Sequence, residues 1–311
     1  MKTINVHISL RALGYLVALA ETRHFGKAAE RCFVSQPTLS AQIKKLEDQL
    51  GVQLVERGHQ AMLTDIGERI VERARRVLDE AREIEEVARN FQDPLAGELR
   101  VGLIPTVGPY LLPHVAALLH KRFPRLKLLL LEHQTHRLVD LLRSGDIDVG
   151  IMALPVPGER LLTRVLYEEP FVVAIPDGHP LGRQRRLDVG ELDGESLLLL
   201  EDGHCLRDQA LEVCRLARIR ETPDFRATSL ETLRQMVASG VGITLLPRLA
   251  ADRPMANPDT LAVRQFAPPE PTRTIAAAWR PGSAREETIA NLCAAIEEMM
   301  APVLAARPAY A

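Results

Sequence analysis

Two cysteines nine positions apart, Cys205 and Cys214, bring thiol chemistry to this chain. The first lies in Glu201-Asp202-Gly203-His204-Cys205-Leu206-Arg207-Asp208-Gln209-Ala210, where Gly203 can turn the backbone. Leu206, Ala210, Val213 and Ala217 then recur at helical spacing, which predicts a helix beginning at Cys205. Backbone amides at a helix N-terminus favour an anion, so this is where a thiol most readily becomes a thiolate, and His204 and Arg207 are expected to add cationic donors. Cys205 is therefore the nucleophile candidate. Nine helical residues advance about 13.5 Å and turn about 900°, which puts Cys205 and Cys214 on opposite faces. A disulfide needs Cα atoms within roughly 7 Å, so the two can join only if the helix comes apart. On these residues alone Cys214 reads either as a small buried apolar residue or as a redox partner, and both readings stand.

The rest of the chain must position that stretch. Its 311 residues suit about two domains, and 46 % hydrophobic with 26 % charged residues is an ordinary globular composition. A net charge of −2 gives no global attraction to a polyanion, so nucleic-acid binding requires a local patch. Four cysteines without a Cys-x-x-Cys exclude a disulfide framework and the usual zinc pattern, and point to a reducing, cytoplasmic setting. No cofactor and no metal is expected. The chain has no Gly-x-Gly-x-x-Gly, P-loop or Gly-x-Ser-x-Gly, and His133 with His136 do not suffice for a metal site. Arg11 interrupts the first apolar run, which reads as a helix with Leu10, Leu13, Leu16, Val17 and Ala20 on one face instead of a signal peptide. No segment is expected to cross a membrane.

Residues 1–63 carry eight basic and five acidic side chains, a local balance of +3. Phe25 to Cys32, the short turn Phe33-Val34-Ser35 and Gln36 to Glu47 read as a helix-turn-helix, with Val34, Leu39, Ile43 and Leu46 as its buried stripe. Cys32 reads as a core residue of the first of these helices. Pro37 suits a first helical turn capped by Ser35 or Gln36. Gln36, Thr38, Ser40 and Gln42 are short hydrogen-bonding side chains suited to base edges in the major groove, and Lys44 and Lys45 suit phosphates. Leu50 to Arg57 followed by Met62-Leu63-Thr64 reads as a hairpin wing whose Arg57, His59 and Gln60 meet the DNA backbone or minor groove. Further on, Ile66, Ile70, Ala74, Val77, Ala81, Ile84, Ala88 and Phe91 repeat close to a heptad, predicting a long helix that pairs with a copy of itself. Asp93-Pro94-Leu95-Ala96-Gly97 ends that helix.

Beyond residue 97 strands alternate with helices. Strands are expected at 98–104, 126–131, 149–153, 171–175, 197–200, 243–246 and 274–279. Helices are expected at 109–123, 135–144, from 205, at 229–238 and at 284–300. The alternation predicts a largely parallel sheet in two lobes, with helix N-termini opening into the cleft at strand ends.

Ala28-Ala29, Ser35-Gln36-Pro37-Thr38-Leu39-Ser40, Lys45-Leu46-Glu47 and Leu50-Gly51 resemble the winged helix-turn-helix of LysR-type transcriptional regulators. One departure is Gln60, where many members have arginine. Gly102 to Pro113, Gln134-Thr135-His136, Leu200 to Ala210, Phe225 to Arg234 and Gly242 to Pro247 resemble the peroxide-sensing members of that family. The resemblance implies a mainly α/β protein: a winged helix-turn-helix in 1–63, a linker and dimerisation helix in 64–95, and a periplasmic-binding-protein-like regulatory domain in 96–311. Its lobes would be about 96–168 with 273–311, and about 169–272. It implies a DNA-binding regulator, not an enzyme, whose signal is hydrogen peroxide. Cys205 would be the peroxidatic residue and Cys214 its resolving partner, with Thr106, Thr135, His204, Asp202, Arg273 and Arg207 binding or activating peroxide. Ser35, Gln36, Pro37, Thr38, Ser40, Gln42, Lys44 and Arg57 would meet double-stranded operator DNA. It also implies a dimer through the linker helix, a tetramer of two dimers, and RNA polymerase as a partner. Two other readings are a LysR-type regulator of metabolism with incidental cysteines, and a thiol peroxidase.

Overall fold

Ser9 caps the first helix with its side chain. The Ala12 amide donates to its Oγ at 3.2 Å, and α1 (Leu10–Thr22) follows. The computed structural model describes residues 7–56, 62–90, 95–156, 160–215, 220–252 and 260–308, without the side chains of 83, 85–90, 214, 215 and 220–225. Two units result, Met1–Arg89 and Asn90–Ala311.

In the first unit, α1 packs with α2 (Phe25–Arg31) and α3 (Gln36–Leu50). Leu13 and Leu16 are buried as expected, but Leu10 begins the helix at its capped end and is exposed, while Ala12, Tyr15 and Leu19 complete the buried face. Leu39, Ile43 and Leu46 form the inner stripe of α3. Cys32 proves to be the C-cap of α2, half-buried at the edge of this core, and not a helix-interior residue. The wing is a small antiparallel contact: Val55 pairs with Leu63, and the Glu56 amide donates to Met62 O at 2.8 Å. Its tip, with Arg57, His59 and Gln60, lies outside the described residues. Glu47 ties the wing to α3, because its Oε1 accepts the amides of Leu54 at 2.7 Å and Val55 at 3.1 Å.

The long α4 (Asp65–Asn90) leaves the wing so closely that a Cβ on Gly67 would stand 2.2 Å from Leu54 O. Only glycine permits that approach. The expected seam divides in two. Ala74 and half-buried Ile70 join the core of their own unit, while Val77 and Ile84 stand exposed. The Ala88 side chain and Phe91 lie outside the described residues.

The second unit runs β1 (Gly97–Leu103), α5 (Gly108–Arg122), β2 (Leu126–Glu132), α6 (Thr135–Ser144), β3 (Val149–Ala153) and β4 (Leu162–Pro176). It continues through β5 (Arg186–Leu187), β6 (Ser196–Leu200), α7 (Cys205–Arg215), β7 (Arg220–Ala227), α8 (Leu230–Ala238), β8 (Thr244–Pro247) and α9 (Arg248–Ala251). It closes with β9 (Leu261–Phe266), β10 (Thr272–Trp279) and α10 (Glu286–Ala305). One sheet has the order β2-β1-β3-β10-β4-β9-β5, with β8 also on β4, and β6 pairs with β7 in a separate two-stranded sheet. Strands β2 and β3 flank β1 in parallel, but β10 runs antiparallel to both β3 and β4, and β4 antiparallel to β8 and β9. The sheet is therefore mixed where a largely parallel one was expected. The cause is β4, fifteen residues long, whose first half pairs with β10 and whose second half pairs with β8 and β9.

One helix departs from expectation. Twenty residues long and apolar, α10 meets the length and composition of a membrane span. Its Ile289, Leu292, Cys293, Ile296 and Met300 instead face the domain core, and its Glu297 binds Arg164 at 2.7 Å, which accounts for the apolar face within this fold.

Candidate functional site

Parallel β1, β2 and β3 finish at one edge, with Leu103 opposite both Glu132 and Ile151. The chain leaves them there through Thr106 toward α5, through Gln134 and Thr135 into α6, and through Leu154. The turn before α7 meets this same edge. Gly203 holds φ +95°, and a Cβ on it would lie 2.6 Å from Gln134 Oε1 at the N-cap of α6. One helical turn past Cys205, Gln209 Nε2 donates to Leu154 O at 3.1 Å. Residues four apart share a helix face, so Cys205 and Gln209 both look toward the carboxyl edge of β1 to β3. Half-buried Cys205 is thus the first residue of α7, pinned on either side.

Thr106 and Arg273 meet directly. Arg273 Nη1 donates to Thr106 Oγ1 at 3.1 Å and Nη2 to the Thr106 carbonyl at 3.0 Å. Its Nε and Nη2 reach Glu169 Oε2 at 2.9 and 2.7 Å, and the pair is almost wholly buried. Glu169 Oε1 accepts the Leu249 amide at 2.9 Å. Because Thr106 Oγ1 accepts from a guanidinium, its own proton is free to point away from Arg273. Thr135 is the first residue of α6 and does not cap it; Gln134 is the N-cap. Buried Thr135 Oγ1 has no hydrogen-bond partner among the described residues, nor does Gln209 Oε1. Unpaired buried oxygens at one edge are acceptors, and in the threonine a donor also, for a small polar guest.

The residues around Cys205 differ from expectation in their charge. Burial pushes the His204 pKa down, with Glu201 at 3.8 Å opposing, so the imidazole is neutral at neutral pH where a cation was expected. Arg207 is turned back into the loop. It donates to Leu200 O at 3.3 Å and pairs with Asp202 at 3.0 Å, while exposed Asp202 also holds Arg226 at 2.6 Å. These pairs brace the turn that presents Cys205. Cys214 belongs to α7 by its backbone, and its side chain lies outside the described residues. Sequence reasoning assigned no role to Gln134, Glu169 or Gln209. Of these Gln134 and Gln209 stood in stretches that carry the family resemblance, Gln209 also four residues from Cys205, whereas Glu169 carried no signal.

In the first unit, Ser35 caps α3. Its Oγ accepts the Thr38 amide at 3.4 Å and shares a hydrogen bond with Thr38 Oγ1 at 2.8 Å. Gln36, Pro37, Thr38 and Lys44 are exposed, and Ser40 and Gln42 half-buried. The turn residue Phe33, at φ +54°, is 96 % exposed.

Residues 10–68 match the bacterial regulatory helix-turn-helix protein of the lysR family, and residues 92–301 match the LysR substrate binding domain. The DNA-binding transcriptional dual regulator OxyR of Escherichia coli K12 is 48 % identical over 294 residues, covering 94 % of this chain and 96 % of that protein. Full-length Pseudomonas aeruginosa OxyR carrying a cysteine-to-aspartate change is 45 % identical, with a TM-score of 0.76 over 94 % of this chain and 95 % of that one. A cysteine-to-serine mutant of Corynebacterium glutamicum OxyR, solved with H2O2 bound, is 35 % identical, with a TM-score of 0.67 over 96 % of this chain and 95 % of that one.

Proposed function

The chain belongs to the LysR family of bacterial transcriptional regulators, and from that premise we propose that it is a peroxide-responsive DNA-binding regulator of oxidative-stress genes. The observation that carries this reading is the seating of Cys205 at the start of α7, with Gly203 against Gln134 and Gln209 against Leu154. That edge also holds the Arg273-bound Thr106 and the unpaired Thr135 Oγ1.

Hydrogen peroxide is small, and each of its oxygens both donates and accepts, which suits Thr106 and Thr135 as holders and neutral His204 as a further hydrogen-bonding group. The Cys205 sulfur attacks one peroxide oxygen. The S–O bond forms as the O–O bond breaks, and the departing hydroxide takes a proton to become water. The Cys214 thiolate then attacks the Cys205 sulfenic sulfur, the S–S bond forms, and the oxygen leaves as a second water. Two thiols are oxidised and one peroxide is reduced. Closing that bond requires α7 to come apart, since nine helical residues span about 13.5 Å and a disulfide allows roughly 7 Å. The rearrangement changes how regulatory domains pair and so how the DNA-binding units are spaced.

In this reading Ser35, Gln36, Pro37, Thr38, Ser40, Gln42, Lys44 and Arg57 meet operator DNA. The exposed Val77 and Ile84 of α4 supply the dimer seam, and two dimers make a tetramer that engages RNA polymerase in the cytoplasm. The protein is a regulator oxidised once per signal, not a peroxidase that turns over. Peptide mapping under non-reducing conditions after dilute peroxide, paired with an operator footprint in both states, tests it. A Cys205–Cys214 cross-link with an altered footprint is expected; an unchanged footprint with no such cross-link sinks the reading.

A further inference from the structure

Positive charge is concentrated on one hollow of about 640 Å³ whose lining does not include Cys205. It forms where the 3-10 turn Pro180–Arg183, β5, β9 and the chain after α10 meet. Arg183, Arg185, Arg186, Arg264 and Arg307 line it, and among the described residues no carboxylate does. Arg183, Arg185, Arg186 and Arg307 are exposed and make no ion pair with any described residue. Glu191, which reaches Gln184 on the rim at 2.6 Å, is also engaged by the Asp188 amide at 2.7 Å.

The framework of the hollow is fixed. Arg264 donates from Nε and Nη2 to Gly182 O at 3.2 and 2.5 Å and from Nη1 to Val263 O at 2.7 Å. Three of its five N–H donors are thereby used, and two remain for a guest. Arg186 is held opposite Gln265 by the β5–β9 pairing. Arg307 comes from a distant part of the chain, and buried Arg248 secures the segment before it by donating to the carbonyls of Leu304 and Ala306.

Guanidinium groups stay charged at any working pH, so they repel one another around this space until an anion enters. Their planar forks match the oxygens of phosphate, two bonds at a time. The volume lies in the usual range for small-molecule sites and exceeds what a single phosphate fills. Five positive charges around so small a space favour an anion whose charges are equally compact, which a chain of phosphates is and an extended acidic peptide is not. Among the described residues no aromatic side chain lines the hollow, so the recognition these residues offer is of the phosphates and not of a base. We propose that this arginine hollow is a second ligand site, for a compact polyphosphate anion of the nucleoside triphosphate class, separate from the cleft that holds Cys205.

Calorimetric titration of the reduced, full-length protein with sodium tripolyphosphate tests the assignment. One saturable site per chain is expected, weakening as salt rises. Arg185→Ala with Arg186→Ala should weaken binding roughly tenfold to a hundredfold, as loss of charge-assisted hydrogen bonds does. Arg185→Gln, which keeps the side-chain stem, should show a smaller loss in the same direction and guards against a misfolded double variant. Lys121→Ala with Lys127→Ala, two exposed lysines of the same unit that do not line the hollow, should bind like the parent. Absence of saturable heat, or an equal loss in the lysine variant, overturns the site. A hexa-aspartate peptide that binds as tightly as tripolyphosphate overturns the phosphate class.

Discussion

Arg273→Ala is expected to be the costliest single truncation in the regulatory unit. Its guanidinium makes two contacts to Glu169 Oε2 and two to Thr106, and both charged partners are almost fully buried. Truncation leaves the Glu169 carboxylate in the core with, among the described residues, only the Leu249 amide on Oε1. Breaking a buried pair from one side costs about 3–5 kcal/mol, roughly a fifth or more of the stability of a typical domain. With a urea m-value near 2 kcal/mol/M, the unfolding midpoint falls by roughly 1.5–2.5 M. The single tryptophan, Trp279, is buried on the same strand as Arg273, so its fluorescence reports this unit alone. Arg273→Met with Glu169→Gln removes both charges and keeps an oxygen for the Leu249 amide, so it should recover stability to within about 1–2 kcal/mol of the parent. That double variant should still oxidise slowly at Cys205, because the Thr106 hydroxyl has lost the donor that orients it. A single-variant loss below about 1 kcal/mol refutes the reasoning, as does a double variant no more stable than the single.

Gly203→Ala places a Cβ at φ +95° and against Gln134, so about 1–2 kcal/mol of stability should be lost and peroxide oxidation of Cys205 should slow. Gly178→Ala, at φ +74° with nothing within 4 Å, is the control: a similar stability loss with parental oxidation kinetics, whereas equal slowing in both would discredit the Gly203 contact. Burial lowers the His204 pKa in the folded state, so the unfolded chain binds that proton more readily. Its contribution to stability is complete above the unfolded value near 6.5 and is lost as pH falls below it toward the folded value, by at most about 1.4 kcal/mol per pH unit. His204→Asn should therefore flatten the stability profile between pH 7 and 5, and an unchanged slope would count against a buried neutral ring. Burial pushes the Cys293 thiol up to about 12 at 1 % exposure, so alkylation at pH 8 should label Cys293 only after unfolding; early labelling would show that α10 is open.

Helix edges and the turn chemistry were readable because they are local. Thr135–Ser144 and Val149–Ala153 fall where periodicity and flanking residues put them, and Ser35 caps the helix that Pro37 begins. The first half of β4, along with β5, β7 and β9, carried no such signal. Arg220–Ala227 is polar and contains a proline, and it becomes a strand by pairing with β6. The site shows the same division. Cys205 stood out through its helix start, whereas Glu169 mattered only once β4 and β10 brought it beside Arg273, 104 residues away. His204 resembled a cation in sequence because its burial is a tertiary property.

The strands that flank α7 have a mechanical implication. Strand β6 delivers the chain to the helix and β7 receives it back, and these two form a sheet of their own beside the eight-stranded one. An eleven-residue helix is too short to persist in water unaided, so α7 depends on the packing of Leu206, Ala210 and Val213. Its melting therefore forfeits a few side-chain burials and leaves every ladder of the main sheet paired. Such a segment is a foldon, opening at a fraction of the global free energy. The work that a new covalent bond must do on this molecule is set by that local threshold, and the surrounding domain remains a fixed frame against which the change can be registered.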